Sequence, residues 1–151
     1  MRSFEVPDAV SYGGGLTGIG INVLVAIPDW SALLVFVQEV LQLPLATVGD
    51  NFAILRHEGI DMMLHRDDTY GSNPGAQTER DRTSTGGGTR GLGVEVRIYN
   101  VAPAEVEARA REAGHVVLQS TTKKPHGLLE CYIQGPGGYV WVPSCPTPAA
   151  L

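Results

Sequence analysis

Along this chain, apolar residues recur first at strand spacing and then at helical spacing, and the same order is met twice. Ile19–Ile27 is a mostly apolar run that predicts a strand, stopped by Pro28 and Asp29. From Trp30 to Leu43, the residues Trp30, Leu33, Leu34, Val37, Val40 and Leu41 fall on one helical face, with Ser31, Gln38, Glu39 and Gln42 opposite. That segment predicts a helix packed on a sheet, with Asp29 as its N-cap and Val35 off the stripe. Pro44 ends it, and Leu45–Val48, Asn51–Arg56 and Ile60–Arg66 predict three short strands joined at Gly49-Asp50 and Glu58-Gly59.

Asp67–Arg90 breaks the pattern: it is rich in Gly, Ser, Thr, Asp and Arg and nearly empty of large apolar side chains, as a flexible linker or a functional flap would be. The pattern then restarts. Gly91–Ile98 predicts a strand, and Pro103 opens a helix that Gly114 closes. Val106, Ala110 and Ala113 give that helix a narrow apolar face, while Glu105–Arg109 and Glu107–Arg111 are spaced for ion pairs on its outside. Val116–Gln119, Leu128–Gln134 and Tyr139–Val142 complete the set. Asn22 stands seven residues before Asp29 and Gly93 seven before Asn100, with a helix following each. The expectation is therefore an α+β chain of two βαβββ modules paired about a pseudo-twofold axis. A lead-in would occupy 1–18, the modules 19–66 and 91–145, the linker 67–90 and a tail 146–151.

The stretch Gly127-Leu-Leu-Glu-Cys-Tyr-Ile-Gln-Gly-Pro-Gly-Gly-Tyr-Val-Trp-Val-Pro143 is a hairpin signal, two strand-like arms around Gly135-Pro136-Gly137-Gly138. It resembles the closing hairpin of the vicinal oxygen chelate superfamily (glyoxalases, extradiol dioxygenases, bleomycin-resistance proteins), with glycines at 135 and 137 where aspartates are usual. The first helix, Asp29-Trp-Ser-Ala-Leu-Leu-Val-Phe-Val-Gln-Glu-Val-Leu-Gln-Leu-Pro-Leu45, is similar to that superfamily's common Asp-x-x-x-Ser-x-x-Phe-Tyr-x-x-Val-Leu-Gly-Phe-x-Leu. The resemblance implies a curved, partly open mixed-sheet barrel with helices on its convex side and a ligand pocket on the concave side.

It also implies four metal-ligand positions, which fall on Asn22, Met63, Gly93 and Val142. A catalytic divalent site needs about three His, Asp, Glu or Cys donors and an open position, and these four residues do not supply them. No metal and no other cofactor is therefore expected. By strand alternation Val23, Val25, Ile27, Met62, Leu64, Val94, Val96 and Ile98 should face the helices, with Trp141 in the core. Asn22, Leu24, Asp61, Met63, His65, Glu95, Arg97, Val140 and Val142 should line the concavity. Tyr132, ten residues before Val142 as in similar extradiol enzymes, is placed with them.

A pocket of Leu, Met, Val and Tyr with carboxylates and a His suits a hydrophobic or cationic drug-like molecule. The resemblance then implies a metal-free, bleomycin-resistance-like protein that sequesters such a ligand, usually as a homodimer. The alternative is an isomerase, cyclase or lyase in which His65, beside Asp61 or Glu95, acts as a general base. A scaffold that only mediates assembly is a third reading. The net charge of −5 excludes the basic stripe of a nucleic-acid binder. No apolar run approaches the roughly 18 residues of a membrane span, and no signal-peptide core opens the chain. Cys131 and Cys145 fall out of register for a disulfide, so reduced thiols in a cytoplasmic protein are expected.

Overall fold

A computed structural model describes residues 19–69 and 90–148. The lead-in expected over 1–18, most of the 67–90 segment and the end of the 146–151 tail lie outside the described residues. The chain divides into two compact units, which among the described residues are 19–38 with 42–69 and 39–41 with 90–148.

In the first unit β1 (Asn22–Val25), β2 (Leu45–Val48), β3 (Phe52–His57) and β4 (Ile60–Arg66) form a four-stranded sheet in the order β1-β4-β3-β2. The outer pair β1–β4 is parallel and the other two pairs are antiparallel. In the second unit β5 (Glu95–Tyr99), β6 (Val116–Lys123), β7 (Leu128–Gln134) and β8 (Val140–Pro146) repeat that arrangement as β5-β8-β7-β6. The result is two mixed sheets of identical strand order with few helices, an α+β fold with no closed barrel among the described residues. In each unit the last strand returns beside the first because a helix carries the chain across one face before the meander closes.

The first helix begins as α1 (Trp30–Val35) and widens into a π-helical turn at Phe36–Val40. Its buried positions are Trp30, Leu33, Phe36, Val37, Val40 and Leu41, with Leu34 only half-buried. Phe36 had not been assigned to the apolar stripe. It lies three residues after Leu33 and four before Val40, on the same buried side, and Leu43 N donates to the Val37 carbonyl at 3.0 Å where the helix ends. α2 (Pro103–Glu112) packs on β6, β7 and β8, burying Val106 and Ala110. Ala113 is exposed at its C-cap, and Gly114 follows at φ 85°. Glu107 clasps this helix to β6, accepting from the Thr121 hydroxyl at 2.9 Å and from Arg111 Nε at 3.2 Å.

Alternation places Val23, Val25, Leu64, Val96, Ile98 and Trp141 in the core, as expected. Two expected core residues are not there. Ile27 is 54% exposed because the chain leaves β1 for a 3-10 turn at Ile27–Asp29. Val94 is 45% exposed because β5 starts at Glu95, whereas the sequence suggested a strand from Gly91. Gly91 and Gly93 have φ of 71° and 79°, left-handed backbone that ends extended structure there. Met62 is half-buried. The Gly135–Gly138 hairpin turn is as expected, with Gly137 and Gly138 supplying positive φ, but β8 runs on to Pro146.

The start of the segment assigned to the linker is ordered turn. Asp67 N donates to the Val25 carbonyl at 2.9 Å, and Thr69 Oγ1 bonds the Asn51 and Arg66 carbonyls at 2.6 and 2.7 Å. Arg66 grips Asp68 through two 2.6 Å hydrogen bonds. Both cysteines are free thiols, Cys145 lying across from Leu129.

Candidate functional site

Each sheet has one face committed to the core and one carrying the candidate residues. In the first unit, parallel register sets Asn22 beside Met63 and Leu24 beside His65. Antiparallel register adds Ile54 across from Met63 and Phe52 across from His65. Phe52 and Ile54 form a buried apolar cluster with Met63 packed against it. The His65 ring meets Phe52 edge-on, with centroids 5.1 Å apart and planes at 69°. His65 is only 3% exposed, and burial pushes its pKa below the ordinary histidine value, so the neutral imidazole is favoured.

Asp61 is on this face but serves a different partner. It is the register partner of Arg56, which holds it with hydrogen bonds of 2.7 and 2.9 Å. Four residues of strand put it about 13 Å along β4 from His65, so the His65–Asp61 base pair considered from sequence does not form. Glu95 belongs to the second unit, and its side chain pairs with Arg97 Nη1 at 2.9 Å.

In the second unit, Glu95 stands beside Val140 and Arg97 beside Val142. The same face carries Tyr99 from β5 and Glu130 and Tyr132 from β7. Glu130 is the centre of a charged network although it is 1% exposed. Arg97 Nη2 donates to its Oε1, His126 Nε2 lies 2.9 Å from the same oxygen, and the Tyr132 hydroxyl donates to Oε2 at 3.3 Å. Burial alone would raise the Glu130 pKa, but the His126 hydrogen bond and the Arg97 charge outweigh it and hold the carboxyl below the usual range. Burial likewise opposes the Arg97 charge. Hydrogen bonding with Tyr132, Tyr99 and Glu95 and the charge of Glu130 prevail, so the guanidinium is held firmly ionised. Arg97 also lies over the Tyr99 ring, 6.0 Å from its centroid, and Lys124 Nζ lies over the Tyr132 ring at 5.3 Å.

Phe52, Ile54, Tyr99, Lys124, His126 and Glu130 were not among the residues read as site-forming. The run Phe52-Ala-Ile-Leu is buried on both faces and shows no alternation to read. For Glu130 the signal was available: it lies two residues before Tyr132 on one strand, and so on the same face.

No protein-family model matches this chain and no curated protein matches it. Solved structures do. A glyoxalase-related enzyme from Fulvimarina pelagi is 17% identical with a TM-score of 0.57, over 86% of this chain and 88% of that one. A glyoxalase/bleomycin resistance protein/dioxygenase from Nocardioides is 19% identical with a TM-score of 0.54, over 89% and 90%. TioX from Micromonospora sp. ML1 is 20% identical with a TM-score of 0.57, over 88% and 100%. The chain therefore has the glyoxalase/bleomycin resistance/dioxygenase fold of the vicinal oxygen chelate proteins.

The residues do not fit the metal site that the resemblance implies. Asn22 and Met63 are adjacent, but Met63 is packed against Phe52 and Ile54. Gly93 lies before β5, and the residue beside Val142 is Arg97, a fixed positive charge that disfavours a second cation. Among the described residues no group of three His, Cys, Asp or Glu could hold a metal ion. No described helix is long and apolar enough to cross a membrane.

Proposed function

We propose that the protein binds and sequesters a hydrophobic or cationic drug-like small molecule without a metal, as a cytoplasmic homodimer. The observation that carries this reading is the pairing of Arg97 with Val142: an aliphatic residue fills the hairpin position implied for the metal-binding glutamate, and a guanidinium stands at its side. The tyrosines at 99 and 132, on the face that carries Arg97 and Val142, offer the aromatic contact surface such a ligand needs. The general-base alternative draws less support, since His65 is buried and Asp61 is taken by Arg56.

The test is a thermal-shift screen of aromatic and cationic small molecules, run with and without a chelator, with recovery of each ligand that stabilises. The reading expects stabilisation that the chelator leaves unchanged, and a ligand recovered intact. Stabilisation abolished by the chelator, or a ligand recovered chemically altered, overturns it.

A further inference from the structure

The second-unit network leaves one cation bound in a different way from the others. Arg97 is ion-paired with both Glu95 and Glu130, and His126 lies against Glu130. Lys124 has no carboxylate partner among the described residues. Its Nζ sits over the Tyr132 ring, 5.3 Å from the centroid, and bonds the Gln119 amide oxygen at 2.7 Å. The ring is better fixed than the lysine. Tyr132 is tied through its hydroxyl to Glu130, which is itself buried and triply engaged. The Lys124 backbone closes the turn before β7, with Lys124 N donating to the Leu128 carbonyl at 2.8 Å and Gly127 N to the Lys124 carbonyl at 3.1 Å. Its side chain is a flexible arm that gives up rotamer freedom to lie on the ring.

We propose that the face of Tyr132 is a seat for an organic cation, held in the free protein by the Lys124 ammonium and yielded to an ammonium group of the ligand. This rests on the binding reading above and narrows the ligand to a molecule bearing an alkylammonium or quaternary ammonium group. Glu95 and Glu130 face the Arg97 guanidinium, with His126 against Glu130, so the network carries no excess positive charge to repel a cation at the Tyr132 face. Exchanging Lys124 for a ligand cation keeps a positive charge on the ring, whereas a neutral ligand would strip the ring of its cation with no replacement. Aromatic faces prefer weakly hydrated quaternary ammonium groups, which cost less to desolvate than a lysine ammonium.

Choline and its neutral isostere, in which carbon replaces the quaternary nitrogen, serve as probes in NMR titrations that follow the Tyr132 ring signals. Lys124→Met keeps the aliphatic stem and removes the competitor. It is expected to bind choline about five-fold more tightly than the unmodified protein and to prefer choline over the isostere by a similar factor. Lys124→Arg, which restores a cation, should return to the unmodified affinity, and adding Tyr132→Leu to Lys124→Met should abolish binding. Lys124→Met binding choline no more tightly, preferring the isostere or perturbing signals away from Tyr132 would overturn the proposal. Chelator-independent stabilisation by a neutral ligand would survive that result, so the two failures are distinguishable.

Discussion

Arg97 on β5 and Val142 on β8 are register partners in a parallel pair, so a guanidinium and an isopropyl group stand side by side on one face of the second sheet. A carboxylate at 142 would therefore meet a cation already in place. Val142→Glu is expected to lose about 1–3 kcal/mol of stability, because a buried charge is imperfectly repaid even when paired. It should gain no thermal stabilisation from manganese, nickel or zinc. A metal-dependent rise in Tm for this single variant would show that Arg97 does not guard the position.

Two buried titratable groups place two windows in the pH dependence of stability. The folded-state pKa of His65 is lowered by burial, so on acidification the unfolded chain takes up the proton first. The stability owed to its neutral ring is present above the unfolded value of about 6.5 and is lost as pH falls below it. Glu130 is also held below its ordinary value, so its contribution is present above about pH 4.3 and is lost as pH falls through the folded pKa. Urea unfolding across pH should show both declines. His65→Leu should diminish the first, with His115, also lowered by burial, sustaining part of it, and Glu130→Gln should diminish the second, with Asp68 and Glu107, also lowered, sustaining part of that. At pH 7 Glu130→Gln is expected to cost about 1–3 kcal/mol, since Arg97 and His126 lose a charged acceptor. An unchanged acid limb in Glu130→Gln would mean that the carboxylate is not held as described.

The helix at Trp30–Val40 shows what periodicity can specify. Phe36 is fully buried and Val35 is 49% exposed. Phe36→Ala should cost about 3–5 kcal/mol, and Val35→Ala should stay within about 0.5 kcal/mol. Comparable losses would place Val35 in the core and contradict the packing of this helix.

The same contrast explains how much was legible in advance. Strand alternation and the repeated order of elements gave the βαβββ topology, because burial of one sheet face imposes a period of two. Phe36 was legible as well, since it lies three residues after Leu33 and four before Val40, at the spacing of one helical face. Continuous apolar content hid the limit of β5, where only backbone conformation at Gly91 and Gly93 ends the strand. On the candidate faces, parity placed Arg97 and Val142 on one side, but their pairing was not legible, and the partners of Glu130 come from β5, across β8, and from a turn. Those contacts depend on register between β5, β7 and β8, which sequence spacing alone leaves free.

Gly91 offers a test of how tightly the entry to β5 is held against β8. A Cβ there would lie 2.6 Å from Tyr139 Cδ1 and 2.9 Å from Tyr139 Cα. The ring could rotate away, but the Cα is backbone, directly before β8, and can yield only if the strand entrance shifts. The positive φ adds a second penalty independent of the contact. Gly59 isolates that second term: its φ is 78° and a Cβ would meet nothing within 4 Å. Gly59→Ala should thus cost about 1–2 kcal/mol, and Gly91→Ala about 2–4 kcal/mol once overpacking is included. Urea unfolding of both variants measures the difference. Equal losses would leave backbone conformation as the whole cost and would remove the close approach of Tyr139 as a constraint on the hairpin.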